Sequence, residues 1–466
     1  MSINHLIKIL PFPVKQSIKY IYGIIPPRIR YGKVFWDTYN FLQESQWWSR
    51  EKLEDYQLQQ LRKLLHHAYD NVPYYRRIFD ERGLKPKNIQ SFDDMKKLPY
   101  LTKDMFKQHF SELISKNVKL ETLPMSYTSG TTGKSLQFYE NSSTYQKELA
   151  FIYHQWSRVG VKPGNPMLQL RGAIIKGRKP IEYDPVWKVL RLSPRIDSKE
   201  TVHYYLEKME EFGATFLHGY PSAISVLASM IKKYGFSVPV KLRGVLFASE
   251  TIYPWQREIA QEVFNCWVFS HYGQAEKLVL AAECESSKYY HCIPQYGLNE
   301  VNKETNEIIG TSFLNYVNPF IRYRTTDIAV QPINLACDKC GRQYYPVFSS
   351  VVGRLEDFII TPNGIPISPA VITHPFKNIE TIKNTQIIQR SLDCIKLKIV
   401  PWDNCDPKIL KSELGELSQG LVNILGSNMK IETEIVESIQ LSKSGKFKWI
   451  ISDVFNDFLG KGLIES

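Results

Sequence analysis

Between about residue 125 and residue 350, short apolar runs alternate with helical stretches, and this alternation constrains the fold more than any other feature of the chain. Met167–Leu170, Phe216–Leu217, Gly244–Ala248 and Trp267–Phe269 are of strand length. Pro254–Phe264, opening on proline, reads as the helix between the last two. Strands that alternate with helices bury both faces of a sheet, so the prediction is an α/β fold of layered sheets and helices. The pattern changes beyond Gly353. Ile387–Gln389, Ile395–Val400 and Lys430–Val436 read as strands around a helix at Pro407–Leu425, a small α+β unit. Upstream, residues 45–115 read as helices, with Leu58, Leu61, Leu64, Leu65 and Ala68 at helical spacing before Pro73 interrupts them. The predicted organisation is a helical N-terminal extension over 1–90, a large domain over 91–353 and a small mobile domain over 354–466.

With 466 residues, 43% hydrophobic and 23% charged, the chain is neither disordered nor fibrous. No run approaches the ~18–20 apolar residues of a membrane span. Pro11, Pro13 and Lys15 break the first apolar run, which does not read as a secretory signal. Seven cysteines are an odd count, which argues against a disulfide framework and for a reducing, cytoplasmic setting. The net charge of +12 suits polyanions, but no nucleic-acid reader signature accompanies it. Residues 1–36 hold Lys8, Lys15, Lys19, Arg28, Arg30 and Lys33, no acid, and interleaved isoleucine and leucine. Two readings stand: an anchor lying on the inner face of a membrane, or a helix pair packed on the globule with its lysines solvated.

The strongest motif is Tyr127-Thr128-Ser129-Gly130-Thr131-Thr132-Gly133-Lys134-Ser135. Glycines let successive backbone N–H groups turn toward one anion, hydroxyls add donors, and Lys134 adds charge. A Walker A loop would need glycine where Thr128 stands. Four further stretches follow in order: His271-Tyr272-Gly273-Gln274-Ala275-Glu276, Arg322-Tyr323-Arg324-Thr325-Thr326-Asp327, Gly353-Arg354-Leu355-Glu356-Asp357 and Ser442-Lys443-Ser444-Gly445-Lys446.

Over roughly residues 45–455 the chain resembles the adenylate-forming superfamily, within it the phenylacetate–CoA ligase branch and its CapK-type members of capsule and O-antigen biosynthesis. The resemblance implies a large adenylate-forming domain and a small α+β lid. It implies that Thr128, Ser129, Gly130, Thr131, Thr132, Gly133 and Lys134 cradle the phosphates of ATP. Tyr272 and Gly273 would lie against adenine, Glu276 would hold magnesium, and Asp327 would accept from both ribose hydroxyls. Arg354 would face ribose or phosphate, and Glu356 or Asp357 would be the hinge. Lys446 would reach the reacting carboxylate and α-phosphate. Where the family has glycine, this chain has Thr326, which puts the turn geometry in question.

Cys284 and the Cys337-Asp338-Lys339-Cys340-Gly341 knuckle, with His291 or Cys292, have the spacing of a structural zinc site; Cys284, His291, Cys337 and Cys340 are the expected ligands. Packed thiols are the alternative. Strand alternation would let only one of His291 and Cys292 face the metal.

The expected reaction activates a carboxylate with ATP and magnesium and passes the acyl group to CoA. Amide formation on a sugar of a surface polysaccharide is the alternative acceptor chemistry, and a silent nucleotide-binding scaffold the alternative of another class. Candidates for the acid pocket are Tyr220 with His218, Ser249 with Ala248 and Glu250, and Arg171.

Overall fold

The computed structural model describes residues 12–127, 136–171, 180–193, 196, 198–252, 254–333, 336–344, 346–352, 359–362, 366, 367, 372, 374–376, 379–440 and 448–455. The longer N-terminal helices are α1 (Phe12–Ile24), α2 (Gly32–Ser45), α3 (Arg50–Asn71) and α4 (Pro73–Glu81). Ser49 caps α3 by accepting from the Lys52 N–H, and Pro73, lacking a backbone donor, ends α3 and opens α4. Helices α3 and α4 do not stand apart as an extension. Leu61, Leu64, Leu65, Tyr75 and Phe79 share a core with Phe138, Leu278, Phe320 and Tyr323. The Tyr75 hydroxyl donates to the Pro319 carbonyl at 2.8 Å. The expected division at residue 90 therefore falls inside one packed unit, because the apolar stripe of α3 is buried by residues far along the chain.

Strands β1 (Met125–Tyr127) and β2 (Gln137–Tyr139) pair antiparallel, with Tyr127 opposite Gln137, and α5 (Thr144–Trp156) follows. The main sheet then begins with β3 (Met167–Leu170), β4 (Ile181–Asp184) and β5 (Val189–Leu192). It continues through α6 (Lys199–Phe212), β6 (Phe216–Gly219), α7 (Pro221–Tyr234), β7 (Gly244–Phe247), α8 (Pro254–Phe264) and β8 (Trp267–Gly273). Its centre is five parallel strands in the order β8-β7-β6-β3-β5.

The expected alternation stops at Phe264. Beyond β8, no helix lies between the strands up to Val352 among the described residues. Strands β9 (Leu280–Ala282) and β10 (Tyr290–Cys292) extend the main sheet antiparallel. Strands β11 (Gly297–Val301), β12 (Glu307–Ser312) and β13 (Tyr323–Val330) start a second sheet. Strand β14 (Val347–Phe348) closes the first sheet and β15 (Ser350–Val352) the second. Strands such as β12 are buried on both faces and show no apolar–polar alternation, so their sequence does not separate parallel from antiparallel pairing.

A separate core starts at Ile359. After β16 (Ile359–Ile360) and β17 (Pro366–Ile367), the hairpin β18 (Ile382–Ser391) and β19 (Cys394–Pro401) is flanked by β20 (Lys430–Ile435) and β21 (Ile450–Ser452). Helix α9 (Pro407–Leu425) has the predicted bounds; Asp406 caps it, accepting from the Lys408 N–H at 2.8 Å. Its Leu417, Leu421 and Leu425 cover Ile387, Leu397 and Ile399.

Strand β3 lies between β5 and β6, so the connections leaving its neighbours diverge and open a crevice at the carboxyl ends of the parallel strands. Gly219, at the end of β6, is required there by close approach. A Cβ would stand 2.0 Å from the Leu170 carbonyl oxygen, which accepts from the Tyr220 N–H at 3.0 Å.

Candidate active site

A cavity of about 1210 Å³ occupies this crevice. Residues singled out in the sequence line it, among them Arg171 after β3, Ser249 after β7, Tyr272 and Gly273 at the end of β8, Glu276 in the turn that follows, and Asp327 from β13; the acid-pocket candidates His218, Ala248 and Glu250 line it too. They come from separate elements, and the fold brings them together.

The Tyr272 hydroxyl donates to Asp327 Oδ2 at 2.6 Å. Burial and the adjacent carboxylate push the phenol well above its ordinary range, so it stays a donor and fixes the carboxylate's orientation. Asp327 sits on a bulge. From Arg324 to Ile328, β13 advances four positions while β12 advances two, from Ile309 to Glu307. Glu307, buried, holds the bulge: it accepts from the Thr326 N–H at 3.0 Å and pairs with Arg324 at 2.7 Å. Thr326 has φ of 61°, the left-handed region that a glycine adopts without strain. Thr326→Gly is therefore expected to raise stability by about 1 kcal/mol, read as a higher urea midpoint; a lower midpoint would contradict it.

Lys277, next to Glu276, pairs with Glu140 at 2.5 Å, and Glu140 also accepts from Ser126 Oγ at 2.8 Å. This couples the turn after β8 to the β1–β2 pair. Residues 128–135, with Thr128 to Lys134, lie outside the described residues, but their flanking strands meet at Tyr127 and Gln137. Arg354, Glu356, Asp357 and Lys446 also lie outside them. Gln440 and Lys448, the described residues on either side of 441–447, both line the cavity.

Arg171 donates to Ser249 Oγ at 3.2 Å, and Ser249 takes a φ of 71°. Tyr220 is not a wall of the cavity. It precedes α7 as its cap residue, with its ring buried beside Leu170 and Ile224 in the core and the Arg171 guanidinium 5.5 Å from the ring centre. His218 and His271 line the cavity instead, packed around the Trp156 ring. Burial and the nearby Arg171 push His218 well down and His271 down to about 3, so both imidazoles are neutral. Gln169, Trp187 and Arg191 complete this side; none belongs to a recognisable motif.

Away from the cavity, the side-chain donor atoms of Cys284, His291, Cys337 and Cys340 lie within 4.8 Å of one another. Cys340 Sγ is 3.7 Å from His291 Nε2, and His291 Nδ1 is 3.2 Å from the Ala282 carbonyl. That second contact fixes the tautomer and leaves Nε2 facing the sulfurs. Tetrahedral zinc with bonds of ~2.3 Å needs ligand separations of about 3.8 Å, so three thiols and one imidazole at these distances fit the ion. Arg158 and Arg342 lie near Cys340, and Arg342 also pairs with Glu285 at 2.8 Å. Cys292 points the other way, into the core with Leu278 and Phe348.

Comparison with known proteins gives the same picture. A family profile, the CapK C-terminal domain, matches residues 359–453. Protein CapK of Staphylococcus aureus is 22% identical over 97% of this chain and 100% of its own length. The phenylacetate-coenzyme A ligase of Thermus thermophilus is 24% identical over 75% of this chain and 82% of its own. The chain belongs to the adenylate-forming ligases, as a CapK-type member. Its CapK-type fold also matches that of a solved ligase: a 2-hydroxyisobutyryl-CoA ligase in the postadenylation state has a TM-score of 0.68 at 16% identity, covering 91% of this chain and 96% of that one. The same ligase in the thioesterification state gives 0.55. In this adenylate-forming chain, the large unit carries Tyr272, Glu276 and Asp327, and the small unit carries the segment that brackets Lys446.

Proposed function

We propose that the chain is an ATP-dependent carboxylate ligase that forms an acyl adenylate, releases pyrophosphate and passes the acyl group to CoA. The observation that supports this most is the meeting of Tyr272 on β8, Glu276 in the turn after it and Asp327 on the β13 bulge, in a cavity that Gln440 and Lys448 also line. In this reading the carboxylate attacks the α-phosphorus, the bond to pyrophosphate breaks, and AMP leaves when the acceptor attacks the acyl carbon. Asp327, oriented by Tyr272, holds the ribose. Residues Thr128–Lys134 hold the phosphates, and Arg354 faces ribose or phosphate. Glu276 would hold magnesium, which supplies positive charge against the phosphates. Lys446 neutralises charge on the reacting oxygens. It then withdraws as the small domain turns at Glu356 or Asp357, clearing the path for the acceptor. The site for CoA or another acceptor is on that side, and the reaction belongs to the cytoplasm.

A second reading replaces CoA by an amine on a surface polysaccharide precursor. The full-length similarity to Protein CapK favours it. Structural zinc on Cys284, His291, Cys337 and Cys340 is part of either reading.

The test is pyrophosphate release dependent on ATP and magnesium across aryl, fatty, amino and uronic acids, with hydroxylamine as surrogate acceptor. Pyrophosphate with a hydroxamate supports the reading, and orthophosphate instead refutes it. Asp327→Ala is expected to weaken ATP binding by about 10–100-fold, the loss of charge-assisted hydrogen bonds to the ribose diol. Unchanged affinity by calorimetry would remove Asp327 from that role.

A further inference from the structure

Helix α1 is seated with its glycine inward. A Cβ on Gly23 would stand 2.4 Å from the Pro185 carbonyl oxygen, in the turn after β4, and Arg30 Nη1 donates to the Gly23 carbonyl at 2.9 Å. At 3.6 residues per turn, the face of α1 opposite Gly23 carries Val14, Ile18 and Ile21, with Ile24 at its side. Val14 is 43%, Ile21 66% and Ile24 81% exposed, the reverse of an ordinary surface helix. Among the described residues, fifteen large apolar side chains are exposed, and six of them (Val14, Tyr20, Ile21, Tyr22, Ile24 and Ile29) fall in this short segment. The segment also carries Lys19, on the Gly23 side of α1, and Arg28; Lys33 follows and pairs with Asp37 at 2.6 Å, and no acid precedes Asp37.

We propose that this face docks on a membrane surface containing anionic lipid, with the isoleucines entering the headgroup boundary and the basic side chains pairing with phosphate groups. Charge selects this occupant over a second copy of the chain. A two-fold contact would set this net basic segment, which has no acid before Asp37, against itself, whereas anionic lipid complements it. No helix among the described residues is long and apolar enough to cross a membrane, so the contact is peripheral. The turn that seats Gly23 also carries Trp187, which lines the cavity, so docking sets the bilayer beside the active-site wall.

Flotation of the full chain with phosphatidylcholine vesicles, with and without phosphatidylglycerol, tests this. The wild type is expected to float only with the anionic vesicles and to be released by high salt. Ile21→Glu with Ile24→Glu is expected to reduce binding by at least about 10-fold, and Lys19→Glu with Arg28→Glu by a similar factor, at roughly 1 kcal/mol per basic group near the surface. Pyrophosphate release in solution reports that the variants are folded. Failure of the wild type to float, or flotation indifferent to the isoleucine variant or to lipid charge, overturns the proposal. So does a concentration-dependent dimer, seen by ultracentrifugation, that Ile21→Glu dissociates.

Discussion

Lys446→Ala is expected to lower pyrophosphate release by about 10²–10³-fold, the effect of removing one donor aimed at transition-state charge. Two anions meet in the first step, and Lys446 is assigned to the oxygens where their charge builds. The second step starts from the acyl adenylate, in which the acid has lost its carboxylate charge and only the phosphate keeps one, and the lysine has then withdrawn. Acyl transfer from a supplied adenylate is therefore expected to be nearly unchanged in the variant, a split that simple misfolding would not produce. Equal losses in both steps, or no loss in the first, would remove Lys446 from this role. Gln440 and Lys448 lining the cavity on either side of residues 441–447 is what keeps the assignment attached to the site.

Cys337→Ser with Cys340→Ser has the second largest expected effect. The wild type is expected to carry one zinc per chain by elemental analysis and the variant none. Loss of a structural metal is among the few mechanisms that cost more than about 4 kcal/mol. Here it would release the strands β9, β10 and β14, where His291 pairs with both Ala282 and Val347. Because β9 pairs with β8, the turn bearing Glu276 loosens with them. Cys292→Ser, on the core side of the same strand, is expected to retain the metal. A wild type free of zinc at full stability would mean that the thiols only pack.

Much of the fold is legible in the sequence because local signals agree with it. Met167–Leu170, Pro254–Phe264 and Pro407–Leu425 take the structure that their patterning predicts. Two things are not legible, for one physical reason: each depends on pairing between distant residues. The apolar stripe of α3 looks like that of an independent helix until Phe320 and Tyr323 cover it. Strands β9 to β15 look like further alternation until their antiparallel pairing is seen. At the site, the motif residues that are described, Tyr272, Glu276 and Asp327, converge, because phosphate and ribose chemistry demands particular side chains. The acid pocket has no such code. Tyr220 is suitable by type, but the Gly219–Leu170 junction turns it into the core; Gln169 and Arg191 face the cavity from strands, and Trp187 from the β4–β5 turn, none of which carries a motif. Thr326 shows a different limit. Its departure from glycine is visible in the sequence, but the bulge that Glu307 supports explains how the left-handed turn survives it.

The central claim is that the carboxylate is activated as an adenylate. Supplying the turned-over acid with a heavy-oxygen-labelled carboxylate tests it most directly, with mass spectrometry of the products. Label in AMP, with pyrophosphate unlabelled, is the predicted result, because the attacking oxygen stays on the α-phosphorus when AMP leaves. Label in orthophosphate would mean an acyl phosphate and would contradict the account.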